Sequence, residues 1–320
     1  MKMGYIGLGR MGKNMVLHLL EKGIEVIAWN RSPEPREELK KEANTLARPG
    51  LARLTIAKSL DELISKLDNP KIIWLMVTAG LAIDELLTQL ANKLNPGDLV
   101  IDGGNSFYKD TLRRASKLTG QGIHFMDAGT SGGIEGARNG ACIMVGGSQE
   151  DFKRVEPVLK ASAIPGGYAH LGPVGAGHFA KTIHNGIEYG MMEAIGEGAA
   201  ILKYSPFNYD LREVFRIYNN GSIIESRLVG WSLAEFRSDP DLSDISSVIG
   251  SAGTSGKAKG EGHWTVKLAK KLGVDVPVIA ASVKVRDSSD QDKEDSPNGF
   301  RNKVVAAMRW QFGQHPVKKQ

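Results

Sequence analysis

A strand-like run, Met3-Gly4-Tyr5-Ile6, leads directly into Gly7-Leu8-Gly9-Arg10-Met11-Gly12. Glycines at 7, 9 and 12 give the spacing G-x-G-x-x-G between a strand and a helix, and few folds use that spacing there. Gly7 permits the tight turn, Gly9 lets the backbone approach a pyrophosphate, and Gly12 lets the helix pack on its strand. The N–H groups of the first helical turn then face an anion with partial positive charge. A glycine-rich turn without a ligand is the alternative, but the strand–loop–helix context favours a dinucleotide.

The downstream pattern agrees. Apolar runs at 24–29, 71–77, 98–101 and 123–127 alternate with amphipathic stretches at 11–22, 59–67, 82–94 and 109–119. Such alternation predicts βαβ units. The expected fold over residues 1–174 is therefore a Rossmann-type α/β domain, a doubly wound and mainly parallel sheet. Beyond about Gly172 the alternation stops. Residues 178–203 read as one long helix, and 210–219, 223–236, 262–271 and 276–286 as four more. Residues 175–320 are thus predicted to be an all-α C-terminal domain. The polar stretch 287–296 reads as a solvated loop.

Composition narrows the classes. The 41 Lys and Arg against 36 Asp and Glu leave +5, with no long basic block, a balance that suits small anionic ligands as well as nucleic acid and chooses neither; no nucleic-acid partner is expected. The single Cys142 excludes an internal disulfide framework and a multi-cysteine metal site, and suits a reducing compartment. It lies in the strand-like run 141–145 and is expected to be a small core residue. The longest apolar stretch, 72–83, is interrupted by Thr78 and Gly80 and is too short for a bilayer. With no basic-then-apolar leader at the start, the expectation is a soluble cytoplasmic protein with no metal and no membrane partner.

The second strand ends at Trp29-Asn30-Arg31-Ser32. An acid here would hold the ribose 2′-hydroxyl of NAD, and none is present. Arg31 and Ser32 suit a 2′-phosphate, which favours NADP with NAD still open. A solvated arginine in a loop is the alternative. Two further loops follow predicted strands, Asp102-Gly103-Gly104-Asn105-Ser106 and Thr130-Ser131-Gly132-Gly133-Ile134-Glu135-Gly136. In doubly wound sheets ligands lie beyond such strand ends. Asn105 and Ser131 offer donors there for hydroxyls or a carboxylate.

On the long helix Lys181, Asn185 and Glu188 are spaced i, i+4, i+7 on one stripe flanked by His184, beside an apolar stripe of Phe179, Ile183, Ile187 and Met191. The helix also retains Gly186, Gly190, Gly196 and Gly198, each costing about 1 kcal/mol relative to Ala, where a ligand or another helix comes close. Lys181 and Glu188 are either an ordinary surface pair or, against a nicotinamide, a base and an acid.

These motifs together resemble the 6-phosphogluconate dehydrogenase family. The resemblance runs through G-L-G-R-M-G-x-N at 7–14, N-R-S at 30–32, D-G-G-N at 102–105, S-G-G-x-E-G-A at 131–137 and G-A-G-H-x-x-K-x-x-H-N-G-I-E-Y-G at 175–190. It implies oxidative decarboxylation of 6-phosphogluconate, with Lys181 as general base and Glu188 as general acid. Asn105, Ser131, Gly132, Gly133, His184 and Asn185 match positions that hold the sugar hydroxyls and carboxylate. Tyr189, Lys259, Arg286, Arg309 and His315 match positions near the phosphate. Gly7, Leu8, Gly9, Arg10, Met11, Gly12, Asn30, Arg31, Ser32, Val77, Thr78 and Asn105 are implied for the cofactor. The resemblance also implies that residues 175–320 bind substrate and assemble subunits, with the site between the two domains, in a homodimer or homotetramer whose C-terminal tail reaches a neighbouring subunit. It leaves open whether Arg309 and His315 act in their own or the neighbouring subunit.

The chain departs from the family's pattern in three ways. It is shorter, with one helical stretch before the tail. Thr78 stands where the family has Lys in V-K-A-G. Glu261 stands in K-G-E-G-H-W-T (259–265) where the family has Thr in K-G-T-G-K-W-T. The rival enzyme class is a non-decarboxylating 3-hydroxyacid dehydrogenase of the 3-hydroxyisobutyrate type, which needs no phosphate-binding cations. The rival outside enzymes is a dinucleotide-binding protein without turnover, which needs no Lys181 and Glu188 on one helix face.

Overall fold

The computed structural model describes residues 1–46, 51–250 and 260–313. The chain divides into two compact units, Met1–Lys181 and Thr182–Gln320.

The first unit is an α/β layer structure. Its strands are β1 (Lys2–Ile6), β2 (Glu25–Trp29), β3 (Leu54–Ile56), β4 (Ile72–Leu75), β5 (Leu99–Asp102), β6 (His124–Ser131), β7 (Ala141–Gly146) and β8 (Ala163–Gly172). Between them run α1 (Arg10–Glu21), α2 (Glu34–Thr45), α3 (Leu60–Ser65), α4 (Leu81–Ala91), α5 (Tyr108–Thr119), α6 (Gly133–Asn139) and α7 (Gln149–Ser162). The eight strands form one sheet in the order 3-2-1-4-5-6-7-8. All neighbours are parallel except β6 and β7, which are antiparallel. The chain winds outward from β1 to β3, then returns to place β4 on the other side of β1. The reversal point lies between β1 and β4, with loops 7–9 and 76–80 at its carboxyl edge.

Strand side chains alternate between two cores because the sheet is covered on both faces. Met3, Tyr5, Trp74, Leu99 and Ile101 join the core under α1, while Ile6, Ile73, Leu75 and Val100 join the core with Leu63, Leu87 and Leu118. Both-face burial explains why β4 and residues 99–101 of β5 are continuously apolar in sequence.

The second unit is helical. α8 (Ala176–Lys203) begins within the first unit and continues into the second, followed by α9 (Leu211–Tyr218), α10 (Arg227–Ser238), α11 (Glu261–Leu272), α12 (Pro277–Asp287) and α13 (Pro297–Gly313). Its core joins Met192 and Ala199 to Phe215, Phe236, Leu242, Phe300 and the run Val304–Met308.

Several elements differ from the sequence expectation. α2 carries Pro33 and Pro35 around its start, and α7 contains Pro157, so both lack a clean helical signal. β3 is three residues long, and β8 is largely exposed and contains Gly166 and Gly167, so neither shows the apolar signature of an inner strand. The glycine-rich loop at 130–136 continues into α6, whose start is formed by Gly132 and Gly133 at φ +115° and +63°.

Cys142 is exposed, not a core residue. On β7 it is Ala141, Ile143 and Val145 that are buried, and alternation along the strand turns Cys142 away from them. The stretch 287–296 is not a freely solvated loop either. Ser289 is buried and its hydroxyl accepts the Ile249 N–H at 2.9 Å, while Asp292 accepts from Arg301 and Asn302 at 3.0 Å each.

Candidate active site

At the nucleotide loop, Gly7 has φ +100°, and a Cβ there would lie 2.2 Å from the Met76 carbonyl oxygen. A Cβ on Gly12 would lie 1.9 Å from the Gly7 oxygen, whereas one on Gly9 would meet nothing within 4 Å. Gly7 and Gly12 are therefore steric requirements of the loop, and Gly9 leaves its outer side open. Gly9 is the N-cap of α1 and supplies no side-chain cap, so the first turn of the helix directs its partial positive charge toward an anionic ligand. These features fit a dinucleotide pyrophosphate.

Asn30 holds the loop from the second strand. Its Oδ1 accepts the Leu8 N–H at 3.0 Å and its Nδ2 donates to the Ser32 carbonyl at 3.1 Å. Arg31 and Ser32 are exposed beside it, Arg10 and Thr78 are exposed, and Met11 and Val77 are half-buried.

Asp102 organises the next loop. Fully buried at the end of β5, it accepts the Gly104 N–H at 3.0 Å and the Ser106 hydroxyl at 2.9 Å. Arg114 donates to Ser106 at 3.0 Å, to Asp84 at 2.9 Å and to the Gly80 carbonyl at 3.2 Å, linking the loops after β4 and β5. Asn105 protrudes from this frame and is exposed. Ser131, Gly132 and Gly133 lie half-buried at the end of β6.

Asp127, also fully buried, was not singled out by the sequence reading. Its two oxygens accept the N–H groups of Gly175 and His178 at 2.6 and 2.7 Å, capping the start of α8. Burial pushes its carboxyl above the usual aspartate range. Thr111 and His178 Nδ1 meet at 2.8 Å beside it. A Cβ on Gly129 would lie only 2.5 Å from Lys181 Cβ. The lysine, itself buried, thus approaches β6 where glycine leaves room. A charged residue directly after the apolar pair Phe125-Met126 of a strand-like run is the signal that points to Asp127.

In the second unit α8 presents His184, Asn185, Glu188 and Tyr189. His184 Nδ1 lies 2.8 Å from Asn185 Oδ1 and 3.8 Å from Glu188 Oε2, and the Asn185 amide nitrogen donates to Glu261. Arg286 stacks on Tyr189, its guanidinium carbon 3.5 Å from the ring centroid. The ring packs where glycine permits, since a Cβ on Gly262 would lie 2.5 Å from it.

Arg309 is buried, and its Nη1 has no hydrogen-bond partner among the described residues. Burial, reinforced by the charge of Arg286, lowers its pKa to about 10. The helix glycines have mixed roles: Gly186 faces Thr265 and Gly196 faces Arg301 and Val305, while Gly198 meets nothing. Lys259 and His315 lie outside the described residues. Among the described residues no group of three or more His, Cys, Asp or Glu is placed to hold a metal ion. No helix among them is long and apolar enough to cross a membrane.

The reversal-point loops and the open helix start define a Rossmann-type nucleotide-binding protein with an appended helical unit. Residues 2–172 match the NAD binding domain of 6-phosphogluconate dehydrogenase, and residues 177–318 match the C-terminal domain of the same enzyme. The chain belongs to the 6-phosphogluconate dehydrogenase family.

It is 42% identical over 319 residues to the Bacillus subtilis (strain 168) protein YqeC, covering all of both chains. To the NAD(+)-dependent, decarboxylating 6-phosphogluconate dehydrogenase of Haloferax volcanii it is 37% identical, covering 100% of this chain and 99% of the other. A Plasmodium falciparum 6-phosphogluconate dehydrogenase, described in its apo form and in complex with NADP+ and with 6-phosphogluconate, superimposes with a TM-score of 0.81. It is 31% identical, covering 96% of this chain and 70% of that one.

Proposed function

We propose that this chain oxidatively decarboxylates 6-phosphogluconate to ribulose 5-phosphate and CO2 with reduction of NADP, NAD serving as the alternative cofactor. The observation that carries the reading is Arg309. A guanidinium whose Nη1 has no hydrogen-bond partner among the described residues, and whose proton affinity falls through burial and the nearby charge of Arg286, calls for an anion rich in acceptors. The substrate phosphate meets that demand, with the Tyr189 hydroxyl, Lys259 and His315 as its other expected partners. A 3-hydroxyacid without a phosphate would leave these cations uncompensated.

Gly7–Gly12 and the start of α1 would hold the pyrophosphate, Arg31 and Ser32 the 2′-phosphate, and Val77, Thr78 and Asn105 the rest of the cofactor. When bound, the nicotinamide supplies the two-electron acceptor for oxidation at C3. The Lys181 amine takes the proton of the substrate 3-hydroxyl as C3 is oxidised. The 3-keto acid then loses its carboxylate as CO2, because the ketone accepts the electron pair as an enolate. Protonated Lys181 hydrogen-bonds that oxygen. Glu188 delivers a proton to the carbon that becomes C1 of ribulose 5-phosphate. Asn105, Ser131, Gly132, Gly133, His184 and Asn185 orient the hydroxyls and carboxylate.

In this reading the protein is cytoplasmic and works as a homodimer or homotetramer, with the stretch from His315 reaching a neighbouring subunit. The exposure of Ile187 and Met191 on α8, 52% and 43%, supports an apolar partner for that helix. Arg309 serves its own chain's site, as its burial beside Arg286 supports. The test is turnover of 6-phosphogluconate with each nicotinamide, with CO2 release measured in parallel. No reduction with either cofactor overturns the proposal. Lys181→Met should abolish turnover and spare cofactor binding.

A further inference from the structure

We infer that Glu261 is a positioning residue that fixes the Asn185 amide and, through it, which ring nitrogen of His184 carries the proton. Its catalytic meaning rests on the function proposed above, but the geometry stands separately. An ionised carboxylate can only accept hydrogen bonds. Glu261 therefore draws the nitrogen of the Asn185 amide toward itself, which turns Oδ1 toward His184. An amide oxygen also only accepts, so the 2.8 Å contact between Asn185 Oδ1 and His184 Nδ1 requires the hydrogen to sit on Nδ1. In the neutral ring Nε2 then carries the lone pair and is an acceptor. The orientation follows from donor and acceptor chemistry, without needing to distinguish amide nitrogen from oxygen.

The surroundings reinforce this arrangement. Glu188 on α8 faces the same Nδ1 at 3.8 Å and favours the proton there. Arg309 on α13 is near enough to feel the charges of both Glu188 and Glu261. Asn185 is buried, so water competes weakly for its amide. The threonine of the family's K-G-T-G-K-W-T pattern has a hydroxyl that both donates and accepts, so it would not impose one amide direction. With 6-phosphogluconate bound, Nε2 would accept a hydrogen bond from a substrate hydroxyl. Glu261 also begins α11, where any carboxylate gains from the helix dipole. A purely structural role of that kind would leave the His184 tautomer unaffected.

The test is long-range 1H–15N NMR of the labelled full chain, at a pH above the imidazole range. The His184 signals are assigned by their loss in His184→Gln. The wild type should show the Nδ1–H tautomer, and Nε2–H would overturn the inference without any further variant. Glu261→Gln retains an accepting oxygen and should keep Nδ1–H. In Glu261→Ala, Nε2–H should appear and kcat should fall about tenfold with KM for the cofactor unmoved. A folded Glu261→Ala protein that keeps Nδ1–H would refute the role. If the tautomers behave as described while 6-phosphogluconate is not turned over, the proposed reaction fails and the positioning stands.

Discussion

Gly129→Ala tests the placement of the proposed base. The added methyl would stand 2.5 Å from Lys181 Cβ, 3.0 Å from the Gly177 oxygen and 3.1 Å from Lys181 Cγ. Neither the lysine Cβ nor the Gly177 carbonyl can swing aside, because both are fixed to the α8 backbone. To reach ordinary contact from 2.5 Å, the helix start must retreat by about 1 Å. Overpacking of this kind costs about 1–3 kcal/mol of stability. A reacting group displaced by about 1 Å costs on the order of 100-fold in rate, equivalent to about 2.7 kcal/mol on the barrier. Steady-state reduction of the nicotinamide should therefore show kcat falling by about two orders of magnitude, with cofactor affinity close to wild type. Gly198→Ala, where nothing lies within 4 Å, is the control. It should gain about 1 kcal/mol of helix stability and leave kcat unchanged. A folded Gly129→Ala enzyme with wild-type kcat would refute the argument that close approach to β6 sets the lysine's position.

Three other outcomes are expected. Arg309→Ala should raise KM for 6-phosphogluconate by about 30-fold or more, with a smaller change in kcat. Its Tm should change little, because the buried Nη1 that has no hydrogen-bond partner among the described residues is lost with the side chain, so a marked drop in Tm with unchanged KM would place Arg309 in a structural role. Arg31→Ala should lower kcat/KM for NADP by about tenfold and leave NAD unchanged, and an unaltered ratio would remove Arg31 from cofactor choice. Burial raises Glu193 from the usual 4.5 to about 7. Between those values the folded chain holds a proton that the unfolded chain has released, so stability falls as pH rises through this window. Thermal melts across it should show that decline in the wild type and a flatter profile in Glu193→Gln.

The parts of the site legible in sequence were those encoded over short spans. The spacing of Gly7, Gly9 and Gly12 describes one turn, and helical periodicity alone aligns Lys181, Asn185 and Glu188. Asp127 depends instead on residues 48 and 51 positions away, and no local pattern announces that its oxygens cap α8. Gly129 reads as an ordinary strand residue until Lys181 is packed against it. α7 was hidden by Pro157, and β8 by its exposure and its glycines. Cys142 was misread because a strand near the sheet's edge need not bury both faces, and an apolar neighbourhood in sequence does not say which face is covered. Glu261 was visible as a substitution, but its link to Asn185 spans 76 residues and required the fold.

The exposure of Cys142 gives the protein a built-in reporter. In the β6–β7 ladder Cys142 is registered opposite Ser131, so the two side chains share a face of the sheet. The chain has one cysteine, so a thiol-directed fluorophore would label a single known point beside the loop at 131–133 proposed to hold the substrate. Arrival and departure of ligand could then be followed by fluorescence in real time, without engineering a labelling site and in an otherwise native sequence.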